Sequence, residues 1–251
     1  MTLLATKAIV TGASGSIGRS MALALAQAGA DVVISYRSDQ QGADETVDSI
    51  KSTGKNAWAL QADFSSMQGV DSFAQKALAH LGKVDVLINN AAMLCRETFL
   101  ELSPATMQQA FQVNTLSPLH LSQICVQNMM SNAIKGCVLN ISSIAASATF
   151  PHSIGYAATK AAINKWTKNA ALDLAQYGIR VNAIAPGVIE SGMNEGTAQE
   201  NPELWQNLLK GIPLGRTGRP KDIANMVLFL ISKEAEWITG KVFEVDGGHI
   251  L

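Results

Sequence analysis

Only three cysteines occur in the 251 residues, at Cys95, Cys125 and Cys137, with none of the paired spacings that hold a metal. Isolated thiols of this kind read as packing residues in a reduced, cytoplasmic protein. The four histidines are equally scattered, so no metal site is expected. Charge is scarce too, at 16% Asp, Glu, Lys and Arg, with a formal net charge of -1. That balance excludes the basic surface that nucleic acid or an anionic membrane selects. No apolar run reaches membrane-spanning length. The opening Met1-Thr2-Leu3-Leu4-Ala5-Thr6-Lys7 has no charged n-region, apolar stretch or cleavage site, so no export signal is read there. Linkers and low-complexity segments are missing as well. A single domain over 1–251 is the expectation, with 47% hydrophobic residues to fill its core. The shortage of charge also points to surface buried between subunits.

What is present alternates. Short apolar runs at Ala8-Ile9-Val10, Val32-Val33-Ile34, Ala57-Trp58-Ala59-Leu60, Val84–Ile88, Cys137–Ile141 and Arg180–Ile184 are separated by helix-like stretches. Gly29, Gly54, Gly82 and Gly178 each stand between a helical stretch and the next strand, where glycine ends a helix. Strands apolar on both faces, alternating with helices, form a parallel sheet covered on both sides. The expected fold is a doubly wound α/β domain of about seven strands.

Two stretches carry chemistry. Thr11-Gly12-Ala13-Ser14-Gly15-Ser16-Ile17-Gly18 joins the first strand to a helix. Such a turn presents backbone N–H groups and a positive helix end to a pyrophosphate. In a dinucleotide fold, the end of the second strand meets the adenosine ribose. There Tyr36, Arg37 and Ser38 stand where an acid would bind a free 2′-hydroxyl, and an arginine suits a 2′-phosphate. NADP(H) is therefore expected over NAD(H), with Asp39 nearby as the contrary sign. Further on, Tyr156 and Lys160 are four apart, about one helical turn, so phenol and ammonium share a face. A fixed ammonium lowers a phenol's pKa and makes Tyr156 a general acid/base, with Ser143 placed to hydrogen-bond the same reacting oxygen.

These motifs, in this order and at these separations, resemble the short-chain dehydrogenase/reductase family from Lys7 to Gly248. The resemblance implies a Rossmann-type fold and reversible hydride transfer between a nicotinamide cofactor and a carbonyl/alcohol pair. It implies that Gly12, Ser14, Ile17 and Gly18 hold the phosphates, with Ser16 beside them, and that Asp63 and Phe64 meet the adenine. Asn89, Ala91 and Ile141 are implied along the ribose and nicotinamide, and Pro186, Gly187, Ile189 and Ser191 at the carboxamide. Ser143, Tyr156 and Lys160 match the catalytic trio, Lys160 also binding the ribose, and Asn114 matches the asparagine that organises the proton path. A homotetramer is implied, paired through helices around Met107–Met130 and Ser153–Tyr177, with Ile163, Trp166, Ala170 and Leu174 as an apolar face that core packing could equally claim.

Departures from the family pattern are small for small: Ser16 and Ala92 replace glycines and Ser191 replaces threonine. Ile134 and Tyr177 stand where 3-oxoacyl-carrier-protein reductases carry basic residues, although Lys135 is adjacent. A carrier-protein partner is thus possible but not favoured over a small carbonyl or alcohol. Met93, His152, Val188 and Trp205 are the candidate substrate contacts beside Ser143. Two substrate types stay open, a 3-oxoacyl thioester or general carbonyl compound, and a sugar or polyol of the glucose dehydrogenase type. A sensor that binds NADP without turnover is the reading from another class, and such sensors lack the tyrosine or lysine kept here.

Overall fold

The computed structural model describes residues 6–190 and 202–251. Its strands are β1 (Lys7–Val10), β2 (Asp31–Tyr36), β3 (Ala57–Gln61), β4 (Val86–Asn89), β5 (Cys137–Ile141), β6 (Arg180–Pro186) and β7 (Val242–Val245). All neighbouring pairs are parallel, in the order β3-β2-β1-β4-β5-β6-β7. The helices are α1 (Ser16–Gln27), α2 (Gln40–Lys51), α3 (Met67–Leu81), α4 (Pro104–Phe111), α5 (Ser117–Ser131), α6 (Ile154–Leu174), α7 (Pro202–Lys210) and α8 (Pro220–Ile231).

The two-residue period of a strand divides the sheet's side chains between two cores. Ala8, Val10, Val32, Ile34, Val86, Ile88 and Leu139 meet α1, α2 and α8. Ile9, Val33, Leu87 and Val138 turn the other way, onto Phe73 of α3 and Leu121 and Met129 of α5. Each such large side chain, fully buried, stabilises the fold by roughly 1.5–3 kcal/mol before entropy is counted. The four glycines after helices all adopt positive φ, from +70° to +115°, as the stop signals predict.

One expectation needs correction, and one open alternative is narrowed. The helix around Met107–Met130 is interrupted by a π-helical turn, Gln112–Leu116, between α4 and α5. On the face Ile163, Trp166, Ala170 and Leu174 of α6, Ile163 is buried, and Trp166, Ala170 and Leu174 pack partly buried against the second core. The large apolar side chains that α6 exposes are Ile154, at its first residue, and Leu172.

Candidate active site

β1 and β4 are neighbours, but the helices that follow them pack on opposite faces of the sheet. The loops leaving their carboxyl ends therefore diverge and open a crevice, the usual ligand position in such sheets. Its first part is a cavity of about 350 Å³. Gly12, Ser14, Ser16, Ile17, Gly18, Tyr36, Arg37, Asp63, Phe64 and Ala91 all line it.

The β1–α1 turn is fastened to the end of β4. Thr11 Oγ1 accepts from the Asn90 and Ala91 amides at 2.9 and 3.0 Å, and Asn90 Nδ2 donates to the Thr11 and Gly12 carbonyls at 2.9 and 2.8 Å. Gly12 has φ +65°, and a Cβ there would lie 2.9 Å from Ala91 Cα, so only glycine fits. Asp39, Ser66 and Ser103 cap α2, α3 and α4, whereas α1 begins with no side-chain cap and no acid in its first turn. Its N–H groups are left to an anion. Ser16, the serine in a glycine position, has φ +45°, and its Oγ is buried with no hydrogen-bond partner among the described residues. Gly15 beside it is extended and has open space for a Cβ. The strain of this turn thus rests on Ser16. These donors fit a dinucleotide's phosphates.

At the adenosine end, Asp39 is committed to its cap, accepting from the Gly42 amide at 2.9 Å. Arg19 is committed as well, donating to the Ser14 and Gly42 carbonyls and to Glu45. Arg37 lines the cavity as a cation. Asp63 accepts from the Ser65 amide, which with nearby Arg37 holds its carboxyl below the usual range. Ser38 is exposed and off the cavity wall. Asn89 departs from its expected place. Its amide donates to Ser122 and Asn140 inside the core, and Asn90 is the asparagine that faces the crevice.

The crevice continues into a second cavity of about 250 Å³, sharing Ile17, Asn90 and Ala92 with the first. Ser143, Tyr156 and Lys160 come together on its wall with Ile141, Pro186, Gly187, Val188 and Ile189. Ser143 follows β5 and caps a short helical turn, accepting from the Ala145 amide at 3.1 Å. Lys160 is buried and donates to the Ile141 carbonyl at 2.7 Å, with Nζ 5.5 Å from the Tyr156 ring centre. Burial lowers the ammonium to about 8. Burial also pushes the Tyr156 phenol up to about 12, against the pull of its hydrogen bond with Ser143. Desolvation thus opposes the expected lowering by Lys160, whose ammonium is turned to the Ile141 carbonyl. Tyr156 stands here as a proton donor.

Asn114 lies on the π-turn and is buried. Its Oδ1 accepts from the Met93 amide at 2.7 Å, and its Nδ2 donates to the Met93 carbonyl at 2.8 Å and to Thr159 at 3.1 Å. It thereby ties the loop after β4 to the catalytic helix. Met93 lines the first cavity rather than the second. His152 is exposed, with φ +53°, in a neighbouring depression with Glu97 and Phe99 that shares Ala145 and Phe150 with the catalytic cavity. Trp205 is partly buried on α7 and is on the wall of neither cavity. Ser191 lies outside the described residues. Asn90 and Arg96 line the catalytic cavity without having been singled out for it. Among the described residues no group of His, Cys, Asp or Glu could hold a metal ion, and no helix is long and apolar enough to cross a membrane. All three cysteines are buried and unpaired.

Known proteins resemble the chain over nearly its whole length. A family model described as Enoyl-(Acyl carrier protein) reductase matches residues 12–249. Glucose 1-dehydrogenase 2 of Bacillus subtilis is 39% identical over 245 residues, 97% of this chain and 94% of that one. A 7 alpha-hydroxysteroid dehydrogenase solved with NADH and 7-oxo glycochenodeoxycholic acid superposes with TM-score 0.93, at 38% identity over 98% and 95% of the two chains. An Agrobacterium tumefaciens protein provisionally assigned as a 2-deoxy-D-gluconate 3-dehydrogenase, solved with bound NADP, gives TM-score 0.90 at 34% identity over 99% and 98%.

Proposed function

This chain belongs to the short-chain dehydrogenase/reductase family, and from that premise we propose that it interconverts a small carbonyl compound and its secondary alcohol using NADP(H), with Tyr156 exchanging the proton. The observation that carries the proposal is Tyr156 beside Ser143 and Lys160 on a cavity continuous with an uncapped helix N-terminus.

Phosphates are held by the amides of the β1–α1 turn with Ser14, Ser16, Ile17 and Gly18. Arg37 takes the 2′-phosphate, Asp63 and Phe64 meet the adenine, and Lys160 the ribose. Ala91, Ile141, Pro186, Gly187, Ile189 and Ser191 border the nicotinamide. When bound, that ring supplies or accepts the hydride. Ser143 and Tyr156 hold the substrate oxygen between two hydroxyls, and a phenol pushed up to about 12 keeps its proton for it. As Tyr156 gives that proton up, the ammonium of Lys160 offsets the phenolate. Asn114 fixes the helix that presents both, and through it the proton path.

A diffusible substrate is favoured over one on a carrier protein. Ile134, Lys135 and Tyr177 stand at the amino ends of β5 and β6, the sheet edge opposite the crevice. A sugar or polyol is the second reading, supported by the identity with glucose 1-dehydrogenase 2. The same proposal includes one domain over 1–251, a cytoplasmic setting that suits three unpaired thiols, and a homotetramer. Leu116, Met130 and Leu172, each exposed, offer apolar surface on the helices such pairing uses. The test is a screen of purified protein against ketones, 3-oxoacyl thioesters and sugars, following nicotinamide absorbance with both cofactors. Turnover with NADPH is expected, and none with any carbonyl or alcohol refutes the reading.

A further inference from the structure

The turn of α6 that carries Tyr156 and Lys160 is held from outside the helix at three points. Thr159 stands between them in sequence and is fully buried. Its hydroxyl donates to the Tyr156 carbonyl at 2.7 Å and accepts from Asn114 Nδ2 at 3.1 Å. Its own carbonyl accepts from Thr115 Oγ1 at 3.2 Å, and the Lys160 carbonyl accepts from Ser142 Oγ at 3.4 Å.

A helical threonine commonly returns its hydroxyl to the carbonyl three or four residues back, and that bond alone is ordinary. The second bond distinguishes Thr159. A hydroxyl has one proton to give. Thr159 gives it to Tyr156, so toward Asn114 it accepts. The Asn114 carboxamide is fixed in the matching sense, because its oxygen takes the Met93 N–H and its nitrogen faces the Met93 carbonyl. Met93 lines the dinucleotide cavity and Tyr156 the catalytic one. The walls of the two cavities are thus joined through Asn114 and the Thr159 hydroxyl.

The π-turn helps both of its residues reach this point. Successive residues of an α-helix point about 100° apart, so neighbours usually serve different partners. Hydrogen bonds five residues apart put more residues into a turn and bring neighbours closer in direction. Asn114 and Thr115, adjacent in Gln112–Leu116, both meet Thr159.

Resting on the reductase reading, we infer that Thr159 is a positioning residue for the reaction, its hydroxyl setting the turn of α6 that bears Tyr156 and Lys160 against the wall that holds the cofactor. Thr159 lines neither cavity and acts through Asn114 and Tyr156. Transfer of hydride and proton needs close alignment of the reacting atoms, and a displacement of about 1 Å can cost about a hundredfold in rate. Binding of substrate or cofactor alone is less sensitive, so the signature is a loss in kcat without a matching change in KM.

The experiment measures kcat, KM and the NADPH Kd for wild type, Thr159→Val, Thr159→Ser and Thr159→Ala in the full chain, with the carbonyl compound that the screen finds turned over fastest. Rates are expressed per NADPH-binding site, so unfolded protein is not counted. Thr159→Val keeps the shape and loses the hydroxyl, and its kcat is expected to fall about tenfold or more with KM and Kd within about twofold. Thr159→Ser is expected to retain at least about half of kcat, whereas Thr159→Ala, which differs from it by the oxygen, falls with Thr159→Val. The contrast between Thr159→Ser and Thr159→Ala decides the matter if Thr159→Val does not fold. Equal impairment of those two overturns the inference, because packing would then explain the loss. A kcat within about twofold of wild type in Thr159→Val and Thr159→Ala overturns it too, as does a loss carried by KM or Kd. No turnover of any carbonyl by wild type overturns the reductase reading and the inference together.

Discussion

The two halves of the crevice are built from different material. The dinucleotide half is made largely of backbone and small residues, with Gly12, Ser14, Gly15, Ser16 and Gly18 on its wall and amide groups as its donors. The catalytic half is made of side chains brought from the loops after β4, β5 and β6 and from the first turn of α6, among them Leu94, Arg96, Ser143, Phe150, Tyr156 and Val188. Backbone recognises what every dinucleotide shares, because amides are the same at every position. Side chains differ from chain to chain, so selectivity belongs to the second half. The division teaches that chemistry and substrate choice can change while the cofactor cradle stays.

The division can be broken hardest at the proton donor. Tyr156→Phe is expected to lower kcat about a hundredfold or more while leaving NADPH binding nearly intact, since the ring still packs. Parallel turnover assays and cofactor titrations check this, and comparable loss of both would merge the halves.

Next comes Lys160, whose ammonium is lowered from 10.5 to about 8 by burial. Between these values the unfolded chain holds a proton that the folded chain has released. Stability from this group therefore increases as pH rises from about 8 toward 10.5 and is lost as pH falls through 8. Relative to Lys160→Met, wild type is expected to gain up to about 1.4 kcal/mol per pH unit in that window, read from denaturant midpoints. Tyr156, raised from 10 to about 12, reverses the trend above pH 10, where the unfolded phenol ionises first.

In the cofactor half, Arg37→Ala is expected to weaken NADPH by about 1.5–3 kcal/mol and NADH little, because only the former has a 2′-phosphate. Fluorescence titration of both cofactors decides it, and equal weakening would remove Arg37 from the site. The smallest effect belongs to Ser16. Replacing it by glycine relieves a left-handed backbone and a buried, unpaired hydroxyl, so the ligand-free Tm is expected to rise by about 2–4 °C. A fall in calorimetric Tm would mean the strain lies elsewhere.

Much of this was legible in the sequence because it is local. Strand period, glycine after a helix and a Tyr–Lys pair one turn apart all operate within a few residues, and each survives in the structure. The two asparagines show where locality ends. Val86 and Ile88 face one core and Leu87 the other, so Asn89 shares the phase of Leu87 and meets Ser122 on α5. The alternation that places it was available, but not which face each phase would take. Arg96 escaped for a different reason. Its place depends on Cys95 packing against Gly155, a contact between segments about 60 residues apart that no spacing rule anticipates. The raised phenol of Tyr156 was missed because burial is a property of the whole fold, whereas the neighbouring ammonium is visible in the sequence.

Asn114 has one more lesson. Its carboxamide faces Met93 as a peptide group would, taking the N–H with its oxygen and giving its own N–H to the carbonyl. A side chain thus imitates one rung of a ladder at a level where the sheet has already ended. The loop beyond β4 acquires the stiffness of a strand for a single residue, then is released to shape the wall. Rigidity is delivered as a point rather than along a line, and the chain on either side can vary its sequence without loosening the wall of the crevice.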